Sequence, residues 1–285
     1  MRSTAAKTNR ATRPDLVPVA VGFDFVECPR YTAEGVYFAS RTHIHRASPG
    51  DKIETIAARS VGGILFHKSG GVVLSGRNVV HLKGGASTEI FGFDQGVECN
   101  DLYADSSGRI LAGTVPIHED GSWNTGATGH LWRIDSIGHA ACLQGGVGFS
   151  NGIGTSPDGR YVYQSDTFAR RIIRYELDDV RVAARQVIST ASVDGYPDGL
   201  AIDTDGNLWV AMFEGGIVAQ LTHDGSLIAA IELPSPKVTS VSFGGADLTD
   251  LYVSVCSAPD EPGTGGIFRV GTGGAVGLGV PFVEV

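Results

Sequence analysis

Four things are missing from this chain, and each absence excludes something. Apolar residues nowhere recur at i, i+3 and i+4 over a helix length, so an amphipathic helical fold is excluded. Basic residues are outnumbered, 22 Lys and Arg against 31 Asp and Glu. The resulting charge of −9 leaves no basic face for phosphates and argues against a nucleic-acid partner. The four cysteines, Cys28, Cys99, Cys142 and Cys256, form no CxxC pair, so a thiolate zinc site is not expected. No apolar run is long enough to span a membrane, and no secretory signal is visible; the expected setting is a reducing, cytoplasmic one with free thiols.

Glycine is abundant instead, with 40 residues, alongside 12 prolines. Short alternating runs bounded by Gly, Asp and Pro dominate, which points to an all-β chain. Residues 1–14, with Lys7, Arg10, Arg13 and several Ser and Thr, read as a disordered tail, and residues 15–285 as one domain.

One phrase recurs. Asn151-Gly-Ile-Gly-Thr-Ser-Pro-Asp-Gly159 followed by Arg-Tyr-Val-Tyr reads as strand, tight turn, strand. Related phrases end at Gly35, Gly71, Gly108 and Gly206, at spacings of 36, 37, 51 and 47 residues in chain order. A sixth unit, Thr239 to Val255, has a longer turn. Repeats of this length built from short strands predict a propeller, because one unit cannot cover its own faces. Third strands are expected at Gly129–Asp135, Arg171–Leu177 and Gly216–Leu221, and fourth strands near Cys142, Val187 and Leu227. The expected fold is a six-bladed β-propeller of four-stranded blades. A strand from residues 16–25 would close the ring and remove an open edge. Residues 115–127 lengthen one unit and should form a loop at one mouth, a suitable place for specificity.

Eight residues before the anchor glycines stand Glu27, Gly63, Asn100, Asn151 and Asp198. First strands of propeller blades line the axis, so Glu27, Asn100, Asn151 and Asp198 should make a ring of oxygens at one mouth. Asn-Gly, Asn-Asp and Asp-Gly are also ordinary turn dipeptides, so three of the four positions have an alternative reading. Glu27 lacks that alternative, because Glu-Cys-Pro is not a turn former. Two carboxylates and two amides brought together suit a hard divalent cation such as Ca²⁺, Mg²⁺ or Mn²⁺, with zinc also compatible. Residues following each second strand should rim the same mouth, among them Arg41, Arg77, Asp166, Phe168 and Phe213. His43 and His45 form a His-x-His pair that metals can use, or an ordinary polar strand edge. Cys28 and Cys99 should turn away from the axis into blade packing.

These residues resemble the gluconolactonase, regucalcin and senescence-marker-protein family of six-bladed propellers. The resemblance covers nearly the whole chain. It is most specific at Phe25-Val-Glu-Cys-Pro29, Glu98-Cys-Asn-Asp101, Ser150-Asn-Gly-Ile153 and Tyr196-Pro-Asp-Gly-Leu200. It implies a divalent-metal lactonase. Glu27, Asn151 and Asp198 would bind one metal ion (Ca, Zn, Mg or Mn), Asn100 would face water or substrate, and Asp198 would also be the general base.

Two departures from the sugar-lactonase pattern stand out. Glu98 replaces an Arg, and His118 stands where a substrate-contacting Glu is expected. Glu98, Asn100, His118, Asp166, Phe168 and Phe213 are therefore the expected substrate shell, for a lactone or ester less polar than gluconolactone. Two other readings stay open: a hydrolase or lyase acting on a different ring or ester, and a non-catalytic metal-binding regulatory propeller. The complete Glu27, Asn151 and Asp198 set speaks against a metal-free propeller of the strictosidine-synthase-like kind.

Overall fold

A computed structural model of the chain describes residues 11, 12, 14–50, 52–178 and 181–285. Among them there is no helix, and the strands form six antiparallel four-stranded sheets around one axis. The sheets are the blades of a six-bladed β-propeller. Their first strands are Val26–Thr32, Ile64–Phe66, Val97–Ala104, Ser150–Thr155, Tyr196–Ile202 and Val238–Gly244 for blades 1 to 6. Neighbouring first strands touch all the way round the ring. The anchor glycines adopt the expected left-handed backbone, with φ of 142°, 84°, 73°, 70° and 82° at Gly35, Gly71, Gly108, Gly159 and Gly206.

Blade 6 is completed by Val17–Phe23, which pairs antiparallel with Gly265–Gly271. The two ends of the chain thus share one sheet, and no edge is left between blades 6 and 1. Most of the 1–14 tail lies outside the described residues. Ala11–Thr12, however, adds a short parallel strand to the outer edge of blade 5, opposite Ala230 and Ile231.

Apolar residues pack between blades rather than within one central core. Six buried clusters fill the six seams. Leu65, Val73, Leu102 and Ile110 join blades 2 and 3, for example, and Tyr163, Ile172, Val210 and Met212 join blades 4 and 5. Each blade face is therefore apolar only because a neighbour covers it. Cys28 and Cys99 are buried in two of these seams, and no cysteine is paired. The segment after blade 6 crosses the mouth at the hairpin ends. Leu278 donates to the Ile202 carbonyl of blade 5, and Val283 and Glu284 donate to Phe66 and Gly108 of blades 2 and 3. Between these contacts Val280 packs against the seams of blades 2 and 3 and of blades 3 and 4, so the segment lies across the hairpin ends of blades 2 to 5.

Five first strands carry one extra residue in their ladder to the second strand. The register shifts fall at Glu27/Arg30, Cys99/Leu102, Ser150/Ile153, Pro197/Leu200 and Val238/Ser240. Bulges of this kind bend a strand and re-aim its side chains. Glu27, Asn100, Asn151 and Asp198, four of the positions eight residues before the anchor glycines, lie at or inside them. Asn151-Gly152 and Asp198-Gly199 are therefore strand residues, not turns. Their glycines answer a packing need: a Cβ on Gly152 would collide with the Leu200 backbone nitrogen, and one on Gly199 with Ser240.

Gly152→Ala should accordingly destabilise the fold by about 1–3 kcal/mol, the usual range for an overpacked site. Gly271→Ala, where a Cβ meets nothing within 4 Å, should be close to neutral. Denaturant unfolding of the two variants beside the parent checks this, and equal stability of all three would contradict the close approach.

Candidate active site

The axial ends of the first strands open into a cavity of about 260 Å³. Its floor carries Glu27, Asn100, Asn151 and Asp198, so the four positions singled out by spacing share one space. Blade 2 contributes no side chain here. Gly62 lies so close to the Asn100 side-chain oxygen that a Cβ would not fit.

The backbone under each of the four residues is tied to the preceding blade. The Asn100 Nδ2 donates to the Ser150 carbonyl at 2.9 Å, just before Asn151. The Thr167 hydroxyl donates to the Pro197 carbonyl at 2.9 Å, just before Asp198. Thr239 does the same to Val26 at 2.6 Å, before Glu27. Gly76 N–H donates to the Cys99 carbonyl at 3.0 Å, before Asn100. These contacts also fix both amides. Because the Thr167 hydroxyl is donating, it accepts from Asn151 Nδ2 at 3.3 Å. Asn100 and Asn151 thus spend their N–H groups on the protein and keep their oxygens for the cavity.

Burial sets the electrostatics. It pushes the Glu27 carboxyl up to about 8, with the Asp101 charge adding to the rise and the Arg41 guanidinium opposing it. The Asp198 carboxyl is driven well above the usual carboxylate range by burial, then by Glu27 and Asp101; the Gly199 N–H works the other way. Among the described residues the Glu27 carboxylate has no hydrogen-bond or ion-pair partner. Two desolvated carboxylates and two outward amide oxygens are the donor set of a hard divalent cation, and a cation placed there would reverse both shifts. The donors therefore fit a metal, although no group of three or more His, Cys, Asp or Glu gathers among the described residues.

Asp101 went unnoticed in the sequence, although it adjoins Asn100. It is fully enclosed, accepts from the Leu102 N–H at 2.7 Å and faces Arg30 at 3.9 Å. Burial nevertheless raises its carboxyl to about 6. Arg30 donates to the Ile64 and Pro29 carbonyls, so this pair braces blades 1, 2 and 3 beneath the floor.

The substrate shell is brought together only in part. Glu98, Phe168 and Phe213 line the cavity with Asn100. Glu98 is half-buried and its carboxyl is raised by burial, which outweighs Arg77 and Arg59; among the described residues no arginine lies within ion-pair distance of it. Asp166 does not reach the cavity. It is fully buried, with its carboxylate taken by Arg171 at 2.7 Å and by the Phe149 N–H at 3.1 Å. His118 faces a neighbouring groove of about 540 Å³ with Arg77 and Glu119. The long loop of blade 3 explains this. It folds as a small hairpin, Ile117 opposite Trp123, with the His118 N–H on the Ser122 carbonyl at 2.7 Å. That register turns Trp123 to the cavity and His118 away from it. His43 and His45 also stay outside. His45 is buried, stacked on Phe38, and bonded to Ser40 and Thr55.

Several lining residues left no pattern in the sequence. Trp123, Phe149 and Phe25 form part of the wall beside Arg41, an expected rim residue, whose guanidinium lies 5.1 Å over the Phe25 ring. Nothing in local periodicity marks the three aromatic residues, which lie outside the long strands.

The chain matches the family described as the SMP-30/Gluconolactonase/LRE-like region over residues 25–257. It belongs to that family. A pentonolactonase of Haloferax volcanii is 36% identical over 65% of this chain; the chain spans 62% of that protein's length. A 6-deoxy-6-sulfogluconolactonase of Pseudomonas putida is 33% identical over 80% of this chain and 82% of its own length. Among solved structures, a calcium-binding protein, regucalcin, of Agrobacterium tumefaciens strain C58 superimposes with a TM-score of 0.83. It is 19% identical, over 97% of this chain and 98% of that one, and shares the fold. No helix among the described residues is long and apolar enough to cross a membrane.

The raised carboxyls have a consequence for stability. In metal-free protein Glu27 holds its proton up to about pH 8, whereas its ordinary value is 4.5. Between those values the folded chain binds more protons than the unfolded one, so stability falls as pH rises through that window. Thermal unfolding in chelator should show a midpoint that declines from about pH 4.5 to about pH 8, and Glu27→Gln should flatten it. Asp198 and Asp101 act in the same direction, so a residual slope is expected. An unchanged slope in Glu27→Gln would place Glu27 in water.

Proposed function

We propose that this chain is a divalent-cation-dependent hydrolase that opens a lactone. It is a lactone-hydrolysing enzyme by its family and by its two lactonase relatives. The observation that carries the metal reading is the convergence of Glu27, Asn151 and Asp198, with Asn100 beside them, in one desolvated cavity. The calcium-binding name of the regucalcin neighbour is in keeping with this.

Glu27, Asn151 and Asp198 would hold the cation, and Asn100 would face the reacting group. When bound, a divalent cation polarises a carbonyl and makes water more acidic. Asp198 takes the proton from the attacking water as its oxygen adds to the lactone carbonyl carbon. The Asn100 amide, held in place through its Nδ2 by the Ser150 carbonyl, turns its oxygen to the cavity, where it would accept a hydrogen bond from the attacking water or from substrate. The bond from the carbonyl carbon to the ring oxygen then breaks, and that oxygen takes up a proton, leaving a hydroxy acid. The substrate we propose is less polar than gluconolactone. Glu98 provides an anionic or protonated group where the sugar-lactonase pattern has a cation, and Phe168 and Phe213 provide apolar wall.

Asp198→Asn keeps an oxygen donor but removes the base. Its kcat should fall by at least about 10²-fold at saturating metal, the low end for a lost general base. A retained kcat would leave Asp198 as a ligand alone. Glu27→Gln should weaken metal binding in a calorimetric titration, and parent-like affinity there would remove Glu27 from the site. A panel of lactones assayed with several divalent metals tests the substrate reading. The parent should open apolar lactones faster than gluconolactone, and Glu98→Arg should shift that preference. A parent that prefers gluconolactone would overturn it.

A further inference from the structure

The cavity wall is not uniform around the ring. From blade 1 to the first strand of blade 3 it presents the polar groups of Arg41, Ser60 and Glu98 beside Phe25 and Val61. From the blade 3 hairpin to blade 5 it presents Trp123, Phe149, Phe168 and Phe213. The second arc continues outward as a connected strip. Trp123 meets Phe149 edge to face at 4.7 Å between centroids, Phe149 meets Phe168 at 5.0 Å, and Phe168 reaches Tyr196 at 6.4 Å. Arg170 caps the outer end, 5.7 Å over the Tyr196 ring.

The strip is exposed where it is largest. Trp123 is 58% and Phe168 54% accessible, although both have aromatic neighbours in place to pack against. Scattered exposed aromatics need no explanation, but adjoining ones on the lip of a polar cavity leave a face uncovered. Their placement is built rather than incidental. Trp123 is set by the Ile117–Trp123 pairing, and Phe168 follows Thr167, whose hydroxyl is fixed on blade 5. Phe149 beneath them is buried and tied by its N–H to Asp166. The rings are inclined to one another, Trp123 to Phe149 by 72° and Phe149 to Phe168 by 55°, so a group lying here would meet both edges and faces. That corrugated slot accepts the edge of a flat apolar ring better than a hydroxyl-studded one, because the slot offers few hydrogen-bond partners to desolvated hydroxyls.

We infer that the Trp123–Phe149–Phe168 strip is a subsite for an aryl substituent carried on the lactone. The lactone ring lies over the Asn100, Asn151 and Asp198 floor, and the substituent leans toward blade 4. The polar arc on the other side would then face the ring's oxygen-bearing edge. The inference rests on the lactonase reading for its catalytic arm and on the strip alone for its binding arm.

The test pairs γ-butyrolactone with γ-phenyl-γ-butyrolactone on the metal-loaded parent, Trp123→Ala and Phe168→Ala. The phenyl compound should have the higher kcat/KM on the parent by about tenfold or more. Each substitution should cut that ratio by about tenfold, the effect of losing one well-placed aromatic contact, and chiefly through KM. A parent without the preference, or a preference kept in both variants, overturns the subsite. If neither lactone is opened, the lactonase reading fails, and binding then decides the subsite separately. In that arm 2-phenyltetrahydrofuran, which has no ester to open, is titrated against tetrahydrofuran while Trp emission is followed. Selective quenching by the phenyl ether in the parent, weakened in Phe168→Ala, supports the subsite, and equal response to both ethers overturns it.

Discussion

The site depends on one kind of contact, the hydrogen bond that four of the six blades give to the backbone of the next. The acceptor is each time the carbonyl just before Glu27, Asn100, Asn151 or Asp198, and the donor comes from the preceding blade. Propeller blades otherwise meet through apolar seams, and such seams resist sliding only weakly because dispersion contacts are not directional. A carbonyl pinned at about 3 Å cannot slide. Ring closure by Val17–Phe23 completes the circuit by holding blade 6, the source of the Thr239 contact, against blade 1.

The same pinning explains why three carboxylates can persist in a poorly hydrated place. Burial raises all three, the Asp101 charge adds to the rise at Glu27, and Glu27 and Asp101 add to it at Asp198, while Asp101 itself lies 3.9 Å from Arg30. Desolvated charges of one sign would ordinarily push their strands apart. Here the strands are held by contacts independent of those charges, so the repulsion is expressed as proton uptake instead of movement. The proposed cation would exchange for those protons on reaching the floor, which would couple metal occupancy to acidity.

The fold and the floor of the site were legible because both are periodic. The anchor glycines repeat as φ demands, and a fixed offset from them reaches the axis wherever the strands are built alike. The offset found Asn100, Asn151 and Asp198 although it could not reveal that they sit in bulges. The wall was less legible. Asp166 follows a second strand as a rim residue should, but Arg171 on the adjoining strand draws its carboxylate inward. His118 is turned outward by a hairpin whose pairing depends on Trp123, five residues on. Trp123 and Phe149 are placed by loops that obey no period, and Asp101 is matched with Arg30, 71 residues earlier. Side chains fixed by partners distant in sequence leave no local trace.

The segment that runs over the hairpin ends from blade 5 to blades 2 and 3 has a bearing on turnover. The cavity opens at the other mouth, the one that carries the aromatic strip and Glu98. In the proposed reaction a neutral lactone would enter there and become a hydroxy acid, an anion set between Glu98 and ring edges that solvate charge poorly and the cation on the floor. Product release would then be a contest between that cation, which holds the new carboxylate, and the wall, which does not.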